Sequence, residues 1–142
     1  MKIIGIVAEY NPFHTGHAYQ IAQSRLALGS DTGVVAVMSG NWVQQAHCAV
    51  ADKWSRARLA LMGGVDLVLE LPTVFACSSA EKFAQGSVDI LAATGVVTHL
   101  SFGSECGDVD KLQRVAACLG SPAYDETVRR FADMGLPFAT CR

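Results

Sequence analysis

The stretch IIGIVAEYNPFHTGHAYQ, residues 3–20, decides how the rest of the chain is read. Its first six residues, Ile3–Ala8, are an unbroken apolar run, the pattern of a strand buried on both faces. Asn11, Pro12, two histidines and a glycine then interrupt the run, and an amphipathic stretch follows. A helix is expected from Thr15 or Gly16 to Leu28, stopped by Gly29. It places His17, Ile21, Ser24 and Leu28 on one face. Strand, polar turn and helix in that order begin a β-α-β unit.

The alternation continues outward from there. GVVAVM, residues 33–38, reads as a second strand. A helix over residues 50–62 would carry Val50, Trp54, Ala57 and Leu61 as its core stripe, with Gly63 and Gly64 stopping it. VDLVLEL, residues 65–71, is a third strand cut off by Pro72. Ser78-Ser79-Ala80-Glu81 has the pattern of a capping box and opens a helix to about Ala93. VVTHLSF, residues 96–102, is a fourth strand. Asp108 caps a helix to about Leu119, and Ser121-Pro122 starts another that ends near Gly135.

Short apolar strands alternating with helices imply an α/β fold with a parallel sheet and right-handed crossovers. Ligands in such sheets bind beyond the carboxyl ends of the strands, where strand order reverses. Four pieces should share that rim: EYNPFHTGH, MSGN (residues 38–41), ELP (residues 70–72) and FGSE (residues 102–105).

Composition narrows the class. A chain of 142 residues suits one domain, here residues 1–142. With 51% apolar and 17% charged residues it is neither a disordered tail nor a highly charged nucleic-acid arm. With a net charge of −2, any RNA contact would use a local patch or need help from elsewhere. No apolar run is long enough to span a membrane. The initial apolar run ends at Glu9 without a small-residue cleavage site, so it reads as a strand rather than a signal peptide. Cysteines 48, 77, 106, 118 and 141 are odd in number and contain no CxxC pair. They fit free thiols in a reducing cytoplasm better than a disulfide frame or a metal site.

HTGH carries the chemistry. Gly16 lets a ligand approach the backbone, and the helix that begins there offers N–H groups and the positive end of a dipole. His14 and His17 can add two donors against charge building on an α-phosphate during nucleotidyl transfer. Asn11 can hydrogen-bond a ribose or phosphate oxygen, and Pro12 sets the bend. Neither GxGxxG nor a P-loop motif occurs. The plainer alternative makes His17 a satisfied histidine at the edge of the core. Glu9 is placed to bind a metal, to act as a base, or to be a simple loop carboxylate. Lys53, Arg56 and Arg58 could touch phosphates, Lys53 and Arg56 those of RNA, or form a solvated face. Gly103-Ser104 is a nucleotide contact or a plain turn, His99 reads as a core histidine, and His47-Cys48 makes no metal site by its spacing.

HTGH after a first parallel strand resembles the H-x-G-H signature of the nucleotidylyltransferase superfamily. With VMSGNWVQ, ADKWSRARLALMGGVDLVLELP, SAEKFAQGSVDIL and FGSECGD in order, the chain resembles the bacterial tRNA(Met) cytidine acetate ligase family over nearly its whole length. The resemblance implies an α/β, Rossmann-like nucleotidylyltransferase fold, a parallel sheet with helices on both faces, and an activity that makes acetyl-adenylate from ATP and acetate. The acetyl group then passes to N4 of the wobble cytidine of elongator tRNA(Met). The reading of the residues agrees with the first step, with His14 and His17 as the expected catalytic residues. The resemblance places an ATP loop on Val7, Ala8, Glu9, Tyr10, Asn11, Pro12, Phe13, His14, Thr15, Gly16, His17, Ala18, Tyr19 and Gln20, with a further ATP contact at Gly103. Mg²⁺ is expected with the ATP, and no protein metal site is assigned.

Two departures stand out. The family's Arg-Gly-Glu-Pro-like stretch reads Gln45-Ala46-His47-Cys48 here. Its later Ser-rich, Arg-ending motif has no match, so the chain is expected to be the amino-terminal portion of a longer protein. Two other readings stay open: an adenylyltransferase acting on another small substrate, and a non-catalytic nucleotide-binding domain.

Overall fold

The apolar run at the amino terminus becomes β1 (Ile3–Ala8), an inner strand of a four-stranded sheet in which every pairing is parallel. In the computed structural model, which describes residues 1–141, β2 (Gly33–Ser39) pairs with one side of β1 and β3 (Leu67–Leu71) lies beyond it. β4 (His99–Ser101) pairs with the other side, giving the order β3-β2-β1-β4. Crossovers therefore run outward from β1 to β3, and the next one returns to the far side of β1. The switch point lies between β1 and β4, as the rim rule requires.

Four helices accompany the sheet: α1 (Thr15–Leu28), α2 (Lys53–Met62), the single-turn α3 (Thr73–Ala76) and α4 (Ala80–Ala93). Side chains alternate across a strand, so the sheet builds two cores. Ile4, Ile6, Val34, Ala36 and Met38 pack with Ile21 of α1 and Ala60 of α2. Val35, Val37 and Leu71 pack on the opposite face with Phe83 and Leu91 of α4. Helices on both faces, and the buried side of α1 around Ile21, match expectation.

The second helix does not. It starts at Lys53, where Asp52 accepts from the backbone N–H groups of Trp54 and Ser55, and not at residue 50. The expected core stripe faces solvent: Val50, Trp54 and Leu61 are exposed, and Ala57 is half-buried. Arg56 and Ala60 take the buried face instead. Small residues let α2 approach closely: a Cβ on Gly63 would overlap the ring of Phe13.

Other departures are smaller. β3 and β4 are shorter than expected because both are edge strands with partly exposed residues. The cap of α4 is Ser79, which accepts from Lys82 N–H, while the Ser78 hydroxyl turns back to Val74 O. α3 has no counterpart in the sequence reading.

Residue contacts divide the chain into two compact units, Met1–Gly103 and the segment from Ser104 onward. The second contains α5 (Val109–Leu119), capped by Asp108, α6 (Pro122–Asp133), capped by Ser121, and the short α7 (Phe138–Cys141). The starts of α5 and α6 fall where their caps predict.

Candidate functional site

β1 ends at Ala8, and the next residues turn sharply. Tyr10 takes φ +45°, and the Asn11–Pro12 peptide is cis. Tyr10 is buried, with its ring 5.0 Å from that of Phe13 and 4.8 Å edge-on from that of His17. Burial pushes the Tyr10 phenol up to about 12, so it stays neutral. Two aromatic rings thus form the bed on which His17 lies.

His14 is the N-cap of α1, and its Nδ1 accepts from Gly16 N–H at 3.1 Å. His17 returns the favour: its Nδ1 accepts from His14 N–H at 3.2 Å. The pair thus works as a reciprocal cap in which two imidazoles replace the usual hydroxyl and carboxylate. A neutral imidazole that accepts at Nδ1 carries its proton on Nε2. Both rings therefore present an Nε2–H donor, and they stack with centroids 3.7 Å apart. Burial, and then the neighbouring His14, lower the pKa of His17 from its usual 6.5, which favours the neutral form.

Gly16 makes this pairing possible. A Cβ there would stand 2.9 Å from Cε1 of His14 and push the ring off the N–H it caps. This also corrects an expectation: the Gly16 N–H is engaged by His14 and does not point at a phosphate. The imidazoles add two donors at this helix start.

The other rim residues are fixed from several sides. Glu9 Oε1 accepts from Gln44 N–H at 2.8 Å, so one carboxylate oxygen holds a loop. Asn11 Oδ1 accepts from Val50 N–H at 2.8 Å, which leaves its amide nitrogen as the end that could donate to a ligand. Gln20 reaches across from α1 and donates to Ser101 O at 3.1 Å, while Ser24 and Ser101 hydroxyls meet at 2.8 Å. These bonds tie the end of β4 to α1. Gly103 follows two residues after the Ile6–Ser101 pair, with no atom within 4 Å of a Cβ built on it. Val7 and Ala8 are half-buried and pack against opposite cores.

Two RNA candidates part company. Lys53 pairs with Glu70 at 2.6 Å and lies 5.4 Å from the Trp54 ring centre at the surface. Arg56 is fully buried and bonded to backbone carbonyls, so it cannot be the RNA contact expected from its charge. Nothing in its local sequence signals this. His99 also corrects its reading: it is exposed on β4, with Nδ1 2.8 Å from the Thr98 hydroxyl. Among the described residues, no group of three His, Cys, Asp or Glu could hold a metal ion.

The family model for HIGH nucleotidyl transferases matches residues 1–142. The tRNA(Met) cytidine acetate ligase of Clostridium perfringens is 46% identical over all of this chain and 36% of its own length. That of Syntrophomonas wolfei is 47% identical over all of this chain and 34% of its own length. The crystal structure of Thermotoga maritima TmcAL bound with alpha-thio ATP superposes with a TM-score of 0.90 at 47% identity, covering all of this chain and 35% of that one. The chain thus spans about a third of the length of the curated relatives it matches.

Proposed function

The chain belongs to the HIGH nucleotidyl transferase family, and from that premise we propose that it is the ATP-binding portion of a tRNA(Met) cytidine acetate ligase. In this reading ATP lies over the switch point, between the HTGH turn and Gly103. An acetate oxygen attacks the α-phosphorus of ATP, and the bond from that phosphorus to the oxygen bridging to the β-phosphate breaks. Pyrophosphate leaves, and acetyl-adenylate forms. N4 of the wobble cytidine of elongator tRNA(Met) then attacks the acetyl carbon, loses a proton and displaces AMP.

The carrying observation is the stacked imidazole pair, with both Nδ1 atoms accepting backbone N–H groups and both Nε2–H donors directed away from them. Such donors are already oriented before charge develops on the α-phosphate, so they stabilise the transition state without reorganising. The His17 ring rests on Tyr10 and Phe13, and the His14 ring stacks on it. The relative bound with alpha-thio ATP supports the choice of nucleotide. The described residues supply no metal cage. Mg²⁺ would enter with the ATP and supply positive charge against its phosphates, and no step is assigned to it. Free thiols at all five cysteines and a tRNA substrate suit a reducing cytoplasm. No helix among the described residues is long and apolar enough to cross a membrane.

The test is calorimetric titration of the chain with Mg·ATP, repeated on His14→Ala and His17→Ala. Wild type should bind, and each variant should lose roughly tenfold or more, the worth of one hydrogen bond to a charged group. Wild-type affinity in both folded variants would remove the histidines from the site. Acetate-dependent release of pyrophosphate tests the identity of the second substrate.

A further inference from the structure

The turns of the rim converge on one buried side chain. Arg56 of α2 has no exposed surface, an unusual position for an arginine. Its Nη1 donates to Glu9 O at 2.5 Å, its Nη2 to Ser39 O at 3.0 Å and to Gly40 O, and its Nε to Ala51 O at 3.1 Å. One planar guanidinium therefore joins the residue just past β1, the end of β2 and the approach to α2. None of the ion pairs among the described residues involves Arg56. The charge is held by carbonyl dipoles, with Glu9, Asp52 and Glu70 acting on it at longer range.

The geometry leads from this hub to the imidazoles in two short steps. Glu9, whose carbonyl is clamped, precedes Tyr10, whose positive φ turns the chain towards HTGH. Tyr10 and Phe13 then support His17 from below. Residues 40–52, which leave the same guanidinium at Gly40 and return to it at Ala51, hold that turn from outside through Glu9–Gln44 and Asn11–Val50. Remove the guanidinium, and converging carbonyl oxygens are left buried with no donor between them. The turn must then open, carrying the bed of His17 with it.

We propose that Arg56 is the positioning residue of the HTGH site, holding the ends of β1 and β2 together so that His14 and His17 keep their paired geometry. This rests on the reading of those histidines as the phosphate site. Lysine cannot substitute, because a compact ammonium cannot span carbonyls that a five-donor fork bridges.

The experiment compares wild type, Arg56→Lys, Arg56→Met and a control, Arg25→Met, all as the 142-residue chain. Arg25 pairs with Asp66 at 2.9 Å and donates to Thr32 O at 3.1 Å, at the amino ends of the strands. Its loss should loosen the fold without touching the rim. Imidazole ¹⁵N–¹H correlation spectra report whether His14 and His17 keep Nδ1 as acceptor and Nε2 protonated, and Mg·ATP titration reports affinity. Folded Arg56→Lys and Arg56→Met should lose that imidazole signature and bind Mg·ATP roughly tenfold more weakly. Arg25→Met should melt earlier yet keep both readouts. Wild-type imidazole signals in folded Arg56→Lys would overturn the proposal. So would unfolding of both Arg56 variants where Arg25→Met stays folded, since Arg56 would then serve stability alone. If wild type itself binds no ATP, the nucleotide reading fails, and the imidazole comparison still decides the positioning role.

Discussion

His17 does two jobs with one ring. Its Nδ1 completes the cap on His14 N–H, and its Nε2 carries the outward proton. Protonation would turn Nδ1 into a donor facing another donor, so acid works against the start of α1. Burial and His14 lower the pKa of His17 in the folded state below its usual 6.5. The unfolded chain therefore takes up the proton first, and the stabilisation from this group is complete above 6.5 and is lost as pH falls through the lower folded value. His17→Gln separates the two jobs, because glutamine is an ordinary capping-box partner at this position and does not titrate. The melting temperature of His17→Gln should fall less steeply than that of wild type between about pH 7 and about pH 5, while Mg·ATP binding drops. Equal slopes would show that His17 is not the titrating group. The turn itself was legible, since Asn, Pro, two histidines and a glycine interrupt an apolar strand before an amphipathic helix. The orientation of the rings was not. It follows from a cap made by imidazoles, a chemistry that propensity rules assign to serine, threonine and glutamate. Arg56 was misread for a related reason: charge in a sequence suggests solvent, and only the folded turns reveal carbonyls enough to hold a guanidinium.

Between β2 and α2 the chain forms a small hairpin, with Trp42 bridged to Cys48 and Val43 N–H donating to His47 O. Its tip places Gln45 at φ +61° and Ala46 at φ +57°, a region that L residues adopt at a cost. The sequence resemblance expects glycine at Ala46, and the backbone has kept the conformation that glycine favours. Ala46→Gly should therefore stabilise the chain by about 0.5–1 kcal/mol, relief of left-handed strain less the added freedom of the unfolded glycine. Urea denaturation should show a higher midpoint with an unchanged slope; a lower midpoint would mean that the tip is not strained. The helix that follows explains the largest misreading. Periodicity chose Val50, Trp54 and Leu61 for the core because they are the large apolar residues. The sheet accepts Ala60 instead, with Phe13 filling the space over Gly63. Close helix approach selects for small residues, and a hydrophobicity pattern does not see them.

At the scale of the whole chain, alternation of apolar runs and capped helices was enough to read a parallel α/β sheet, because buried parallel strands leave no other period. Strand lengths at the edges were overread, since an edge strand and a buried one begin with the same apolar residues. The division into two units was not legible: no glycine- or proline-rich linker marks residues 103–104. Yet it bears directly on where the proposed nucleotide site lies. Every buried residue of both sheet cores comes from Met1–Gly103, as do the HTGH turn, the hairpin, Arg56 and Gly103. Neither α5 nor α6 contains a buried residue. Hydrophobic burial is the main favourable term in folding, and both cores of the sheet are built entirely from residues before Ser104. A chain ending at Gly103 should therefore unfold cooperatively in urea and bind Mg·ATP with an affinity within about threefold of the 142-residue chain, a difference of less than 1 kcal/mol. Loss of cooperative unfolding would show that the helical segment stabilises the sheet. Cooperative unfolding with ATP binding lost would place part of the nucleotide site beyond Gly103.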